Sequence, residues 1–163
     1  MTPMGDECAG FEVRGELGEQ LVCEARAYAH EPSEPDVGYD DLQWIVAHAF
    51  YRGQDAALAA DLYLRTEDFL PFAAGLRGAL TRRGGEADFD TLERQLHFTV
   101  ALDPLGRAQV DGVLAQVTGT GIGTGIHFLF AAATLDVERL LHQTEETLRR
   151  FPVREALHRG GRT

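Results

Sequence analysis

The strongest constraint on this chain is how its apolar residues alternate, and how little sequence separates one alternating run from the next. The stretch "RQLHFTVAL" sets Leu96, Phe98, Val100 and Leu102 on one side and Gln95, His97 and Thr99 on the other. The four residues "DPLG" then lead straight into "RAQVDGVLAQV". A period of two is the period of a strand. Pro104 pre-sets the dihedral of a tight turn, and Gly106 can take its left-handed position. So short a connection joins antiparallel strands, because a parallel pair needs a crossover of about a dozen residues or more.

The same pattern fills the first third. "GFEVRGEL" places Phe11, Val13 and Leu17 on one face, and "LVCEARAYAH" places Leu21, Cys23, Ala25 and Ala27 together. "LQWIVAHAFY" groups Leu42, Trp44, Val46, His48 and Phe50, "RGQD" reads as a hairpin turn, and "AALAADLYLR" groups Ala56, Leu58, Ala60, Leu62 and Leu64. The period then changes. "TEDFLPFAAGLRGALTRR" carries Phe69, Phe72, Ala73, Leu76, Ala79 and Leu80 at helical spacing, with Thr66 or Asp68 to cap its start and Gly84 and Gly85 to stop it. "IHFLFAAA" is a further strand. "LDVERLLHQTEETLRRF" is a second helix, its acids early and its arginines late as the helix dipole favours. The predicted class is α+β: an antiparallel sheet of about seven or eight strands, curved or split into two packed sheets, with two α-helices against it. A chain of 163 residues fits one domain, 1–163, with residues 1–9 and 155–163 expected to be flexible termini.

Charge narrows the partners. The formal net charge is −11, and residues 1–41 hold eleven acids against two arginines. A phosphate backbone needs a basic surface, so nucleic acid is not the expected direct partner. The chain has no lysine, and Ser33 is its one serine. That removes a Walker lysine, a Schiff-base lysine and a serine nucleophile in a G-x-S-x-G elbow. Cys8 and Cys23 form neither a zinc motif nor a disulfide framework. "MTPMGDECAG" has no basic segment followed by an apolar run, and no window approaches the ~20 apolar residues of a membrane span. The expected location is the cytoplasm, with no membrane partner.

"VTGTGIGTGIHF" invites a phosphate-loop reading, with glycines at 119, 121, 123 and 125. A dinucleotide fingerprint needs G-x-G-x-x-G ahead of a helix. Counting from Gly119 the third glycine falls at Thr124, and from Gly121 it falls at Ile126. The segment that follows reads as a strand. The run is therefore a flexible hairpin tip, or a strand with one bare face that another backbone can approach. None of the six histidines shows H-x-x-x-H or H-E-x-x-H spacing, so no catalytic residue, cofactor or metal site is expected. His97 and His127 both sit on strands of the second β region and could meet across a sheet, which opens an alternative: a small-molecule-binding protein or enzyme using that sheet face. Trp44, beside Phe50 and Tyr51, is expected in the core.

The order of elements resembles a known family. Asp41 stands just ahead of Trp44 and Ile45 in "DLQWIVAHAF". A hairpin strand runs into a helix in "ADLYLRTEDFLPFAAGL". Then come the antiparallel pair around "DPLGR" and a final strand entering a helix that ends "RRFP". This is similar to the WapI-like immunity proteins of bacterial polymorphic toxin systems, and related uncharacterised bacterial domains, over roughly residues 10 to 153. The resemblance implies a non-catalytic protein that neutralises a cognate secreted toxin, often a nuclease, inside the producing cell. It implies fold-determining roles for Asp41, Trp44, Leu70 and Phe98. The acid-rich third suits a basic toxin. The expected partner surface is the acidic loop with Glu31, Glu34, Asp36, Asp40 and Asp41. A homodimer is left open.

Overall fold

The computed structural model describes residues 9–118 and 121–155. Eight strands and three helices follow one another as β1 (Ala9–Arg14), β2 (Gln20–Tyr28), α1 (Tyr39–Leu42), β3 (Trp44–Arg52), β4 (Ala57–Arg65), α2 (Thr66–Arg82), β5 (Gly85–Phe89), β6 (Leu96–Leu102), β7 (Arg107–Thr118), β8 (Gly121–Ala133) and α3 (Thr134–Arg150). They form two four-stranded sheets, β1-β2-β3-β4 and β5-β6-β7-β8, antiparallel throughout. The α+β expectation holds in its two-sheet form, with one helical turn, α1, added between β2 and β3.

One apolar cluster unites the inner faces of both sheets with α2 and α3. Its centre is aromatic. Phe11 from β1 meets Phe69 and Phe72 of α2, Phe89 of β5 and Phe98 of β6 at ring separations of 5.3 to 6.3 Å. Tyr51 of β3 stacks on Phe128 of β8 at 5.0 Å. Edge-to-face and offset pairs of this kind contribute about 0.5–1.5 kcal/mol each beyond the area they bury. Cys23 is fully buried among them, and burial pushes its thiol up to about 12. It is a core residue.

Side-chain assignments read from the sequence are corrected at four places. In β3 the inward residues are Ile45, Ala47, Ala49 and Tyr51, while Trp44, Val46, His48 and Phe50 lie half-buried on the outer face. Both faces of this strand are apolar, so alternation alone does not say which one turns inward. The small Ala47 and Ala49 face the core. Trp44 is therefore not a core residue. Leu17 is 73% exposed, because β1 ends at Arg14 and the turn carries Leu17 outward. Leu70 is also exposed, on the solvent side of α2. In β2 a bulge between Ala25 and Ala27 puts Ala27 on the outside.

All three helices begin with the same device. The aspartate at the third helical position reaches back to accept the backbone N–H just before the helix: Asp41 from Gly38 (2.9 Å), Asp68 from Arg65 (2.8 Å) and Asp136 from Ala133 (3.1 Å). Each satisfies an N–H that helix geometry leaves open, and each places a negative charge at the positive end of the dipole. At its far end α2 closes on Arg83 in the left-handed conformation, φ 54°, ahead of the two glycines.

The edge of β1 is closed by a helix. Thr147 on α3 accepts the Gly10 N–H (2.7 Å) and donates to the Gly10 carbonyl (3.1 Å), and Gln143 accepts the Glu12 N–H (2.8 Å). Gly10 has φ 117°, and a Cβ there would fall inside the Cys23 carbonyl oxygen. The glycine is required twice, for its dihedral and for the approach.

Candidate partner interface

The acidic loop spans the gap from β2 to β3 and is held from below. Gln43 is fully buried. Its amide donates to the carbonyls of Tyr39 (2.9 Å) and Arg154 (2.6 Å), and its oxygen accepts the Arg154 N–H (3.0 Å). The Arg154 guanidinium donates to the carbonyls of His30 (2.7 Å) and Leu42 (2.8 Å) and lies 3.4 Å from the centre of the Tyr28 ring. The Tyr28 hydroxyl donates to the Pro152 carbonyl (2.5 Å), and its ring packs edge-on against Phe151. The segment after α3 thus clamps both ends of the loop. Gln43 and Arg154 were invisible to a reading of the loop itself, because Arg154 lies more than a hundred residues away in sequence.

The five acids divide into two groups on this frame. Glu34 and Asp41 work inside the loop. Glu34 accepts from the Glu31 N–H (3.1 Å) and pairs with the His30 ring (3.1 Å), and these contacts hold its carboxyl below the ordinary value. Asp41 caps α1. Glu31, Asp36 and Asp40 are exposed. Asp36 stands at φ 62° in the left-handed region, a conformation aspartate tolerates better than most residues. The loop presents three open carboxylates on a rigid base, a geometry suited to steering a basic partner.

The face expected to join His97 and His127 does not do so. Both project from the outer face of the second sheet, but Val113 on β7 stands between them in register. His127 instead pairs with Asp111 (2.5 Å), and Thr99 donates to Asp88 (2.5 Å). The hollow beside His97, lined by Asp88, Asp90, Arg94, Thr99 and Asp111, is a shallow depression of about 220 Å³. Among the described residues no three His, Cys, Asp or Glu groups cluster as metal ligands, and no helix is long and apolar enough to cross a membrane.

Of the glycine run, Gly119 falls outside the described residues, while Gly121, Gly123 and Gly125 belong to β8. That part of the run is strand, laddered to β7 through the pairs Thr118 with Gly121, Val117 with Ile122 and Ala115 with Gly125. A Cβ at Gly125 would make only ordinary contacts, the nearest 3.6 Å away on Ala115.

A family model described as the immunity protein WapI-like family matches residues 12–152. No curated protein matches the chain. Among solved structures, a chain of the CdiA-CT/CdiI toxin and immunity complex from Enterobacter cloacae aligns with a TM-score of 0.36 and 9% identity, covering 74% of this chain and 97% of its own. That likeness is too distant to carry an argument.

Proposed function

The chain belongs to the WapI-like immunity protein family, and from that premise we propose that it is a non-catalytic immunity protein, acting in the cytoplasm to bind and neutralise a cognate basic toxin such as a nuclease. The family match across residues 12–152 carries this reading. The anchored loop supports its electrostatic part. Glu31, Asp36 and Asp40 are held open on a chain of net charge −11, so their field reaches outward to a cationic surface.

The test uses a basic toxin domain drawn from the coding sequences that neighbour this chain's, where a cognate toxin is expected. Co-expression should restore growth, and the purified pair should associate. Reversing Glu31, Asp36 and Asp40 together to arginine spares the internal bonds of Glu34 and Asp41. It should lower the association rate about tenfold or more at low salt, with little change in dissociation. The difference should shrink as salt shortens the Debye length from about 10 Å at 0.1 M to about 3 Å at 1 M. An unchanged association rate with the fold intact removes the loop from the interface. Failure to rescue growth or to bind removes the immunity role.

A further inference from the structure

Two four-stranded sheets have four edges, and this molecule treats one of them differently. The edge of β1 is closed by Thr147 and Gln143 of α3. The edge of β4 is closed by glutamines of the other sheet. Gln116 donates to the Ala59 carbonyl (2.7 Å), and Gln95 donates to the Asp61 carbonyl (3.3 Å) and accepts the Tyr63 N–H (3.4 Å). Against β5 lies α2, so close that a Cβ on Gly75 would stand 3.0 Å from that of Ala87.

Among the described residues, the edge of β8 has no such cover from Gly125 to Leu129. The ladder fixes which groups point outward there. Asp103 N–H donates to the Arg107 carbonyl across the β6–β7 turn (2.8 Å), so the odd-numbered residues of β7 bond toward β6 and the even-numbered ones toward β8. In β8 the partners of those even residues are Ile126, Phe128, Phe130 and Ala132. Gly125, His127, Leu129 and Ala131 therefore turn their N–H and C=O groups away from β7. The Ala131 carbonyl confirms the phase, because it accepts the Glu16 N–H (2.8 Å) from the β1–β2 turn. Beyond it, the groups of Gly125, His127 and Leu129 meet no partner among the described residues. Proteins ordinarily blunt such an edge with charge, proline or a short strand. Between residues 112 and 134 there is no Asp, Glu, Arg or Pro.

We propose that the β8 edge at Gly125, His127 and Leu129 accepts an added strand, an extended segment of the toxin in which basic residues alternate with apolar ones. The toxin's identity as the partner rests on the function proposed above; the edge itself does not. The alternation follows from the two faces that the new strand would extend. On the inner side its neighbours are Ile126 and the buried Phe128, which call for apolar residues. On the outer side the adjacent β8 residues are Gly125, His127 and Leu129, and the nearest acid is Asp111, one strand in on β7 and in register with Leu129, while Glu86 and Asp88 lie on β5 at the opposite edge of the sheet. An arginine or lysine placed opposite Leu129 is long enough to reach over it toward Asp111, so that position calls for a basic residue. A second copy of this chain would bring another −11 and the same outward carboxylates. Main-chain bonds would give such a complex its affinity, and the alternating side chains its selectivity.

The experiment has two arms on the full chain. The first adds a ten-residue peptide alternating arginine with valine and follows amide exchange residue by residue. The N–H groups of Gly125, His127 and Leu129 should slow about tenfold or more, and a glutamate–valine peptide should leave them unchanged. Leu129→Pro deletes one outward N–H without touching the β7 ladder and should abolish the protection. Should that variant unfold, Gly125→Arg, which adds like charge at an uncrowded site, should weaken the basic peptide about tenfold instead. Unprotected edge amides at millimolar peptide overturn the proposal. So does a wild-type dimer in sedimentation that Gly125→Arg dissolves, which makes a second copy the occupant. The second arm repeats the measurement with the neighbouring toxin. A bound toxin that leaves these three amides fast overturns strand addition and spares the immunity role. A toxin that does not bind sinks that role, and the peptide arm then decides the edge alone.

Discussion

The β1 edge and the β8 edge are both the outermost strands of four-stranded antiparallel sheets, and both contain glycine, yet they are opposites. At β1 the glycine is locked. Gly10 has φ 117°, lies against the Cys23 carbonyl, and has both of its outward backbone groups bonded to Thr147. At β8 the glycine is loose. Gly125 has ordinary contact distances and outward groups that no neighbour meets among the described residues. A sealed edge is part of the fold's own energetics, and its residues are fixed by sterics and hydrogen bonding. An open edge is not explained by the fold, and its residues are free to answer to something outside it.

Substitutions can break this contrast, starting from the sealed side. Gly10→Ala drives a Cβ into backbone and strains φ, so it should cost more than about 4 kcal/mol in urea unfolding, if the variant folds at all. A cost below about 1 kcal/mol would mean that β1 can slide away from β2, and that the edge is not locked. Thr147→Val keeps the shape and strips the hydrogen bonds. It leaves the buried Gly10 N–H unmet, and a loss of about 1–3 kcal/mol is expected from the same measurement. On the open side, Gly125→Ala should be neutral or should stabilise by up to about 1 kcal/mol, because it trims the unfolded chain's freedom and meets no clash. A thermal midpoint lowered by several degrees would show that Gly125 is structural after all.

The smallest effect sharpens the picture of the acidic loop. The Glu34 carboxyl is held below the ordinary carboxylate value, chiefly by the Glu31 N–H and then by His30. For an acid whose folded value is depressed, the stabilisation is present above the unfolded value. It is lost as pH falls through the folded one. The Glu31 amide resonance should therefore titrate below the usual carboxylate range, and Glu34→Gln should abolish that titration. A titration at the ordinary value would leave the turn without its internal anchor.

Sequence alone displayed the strands and helices well where one face is apolar and the other polar. The β6–β7 hairpin, α2 and α3 are plain for that reason, and the antiparallel class follows from the short turns. It failed at β3, where Trp44, Val46 and Phe50 are as apolar as the buried Ile45 and Tyr51, so periodicity has no sign. It also failed where the proposed partner surface depends on contacts between distant residues. Nothing in "EPSEPDVGYDD" announces that Arg154 holds the loop, or that Glu34 and Asp41 are spent inside it while Glu31, Asp36 and Asp40 are not. The open β8 edge was half visible, as a bare, uncharged glycine run. Its meaning came only from the ladder phase and from the cover on the other three edges.

The clamp formed by Arg154 also sets an order in time. Its guanidinium bonds the His30 carbonyl across 124 residues of chain and the Leu42 carbonyl across 112. Closing loops that long is the slow part of assembling a fold, and on a growing chain it waits for the late residue to be made. β2 and β3 can pair long before that, but the acidic loop between them gains its fixed base only when the segment after α3 arrives. The carboxylates proposed to meet a toxin are thus among the last groups to be positioned. The proposed recognition geometry is complete only once α3 and the segment behind it have been made and can support it.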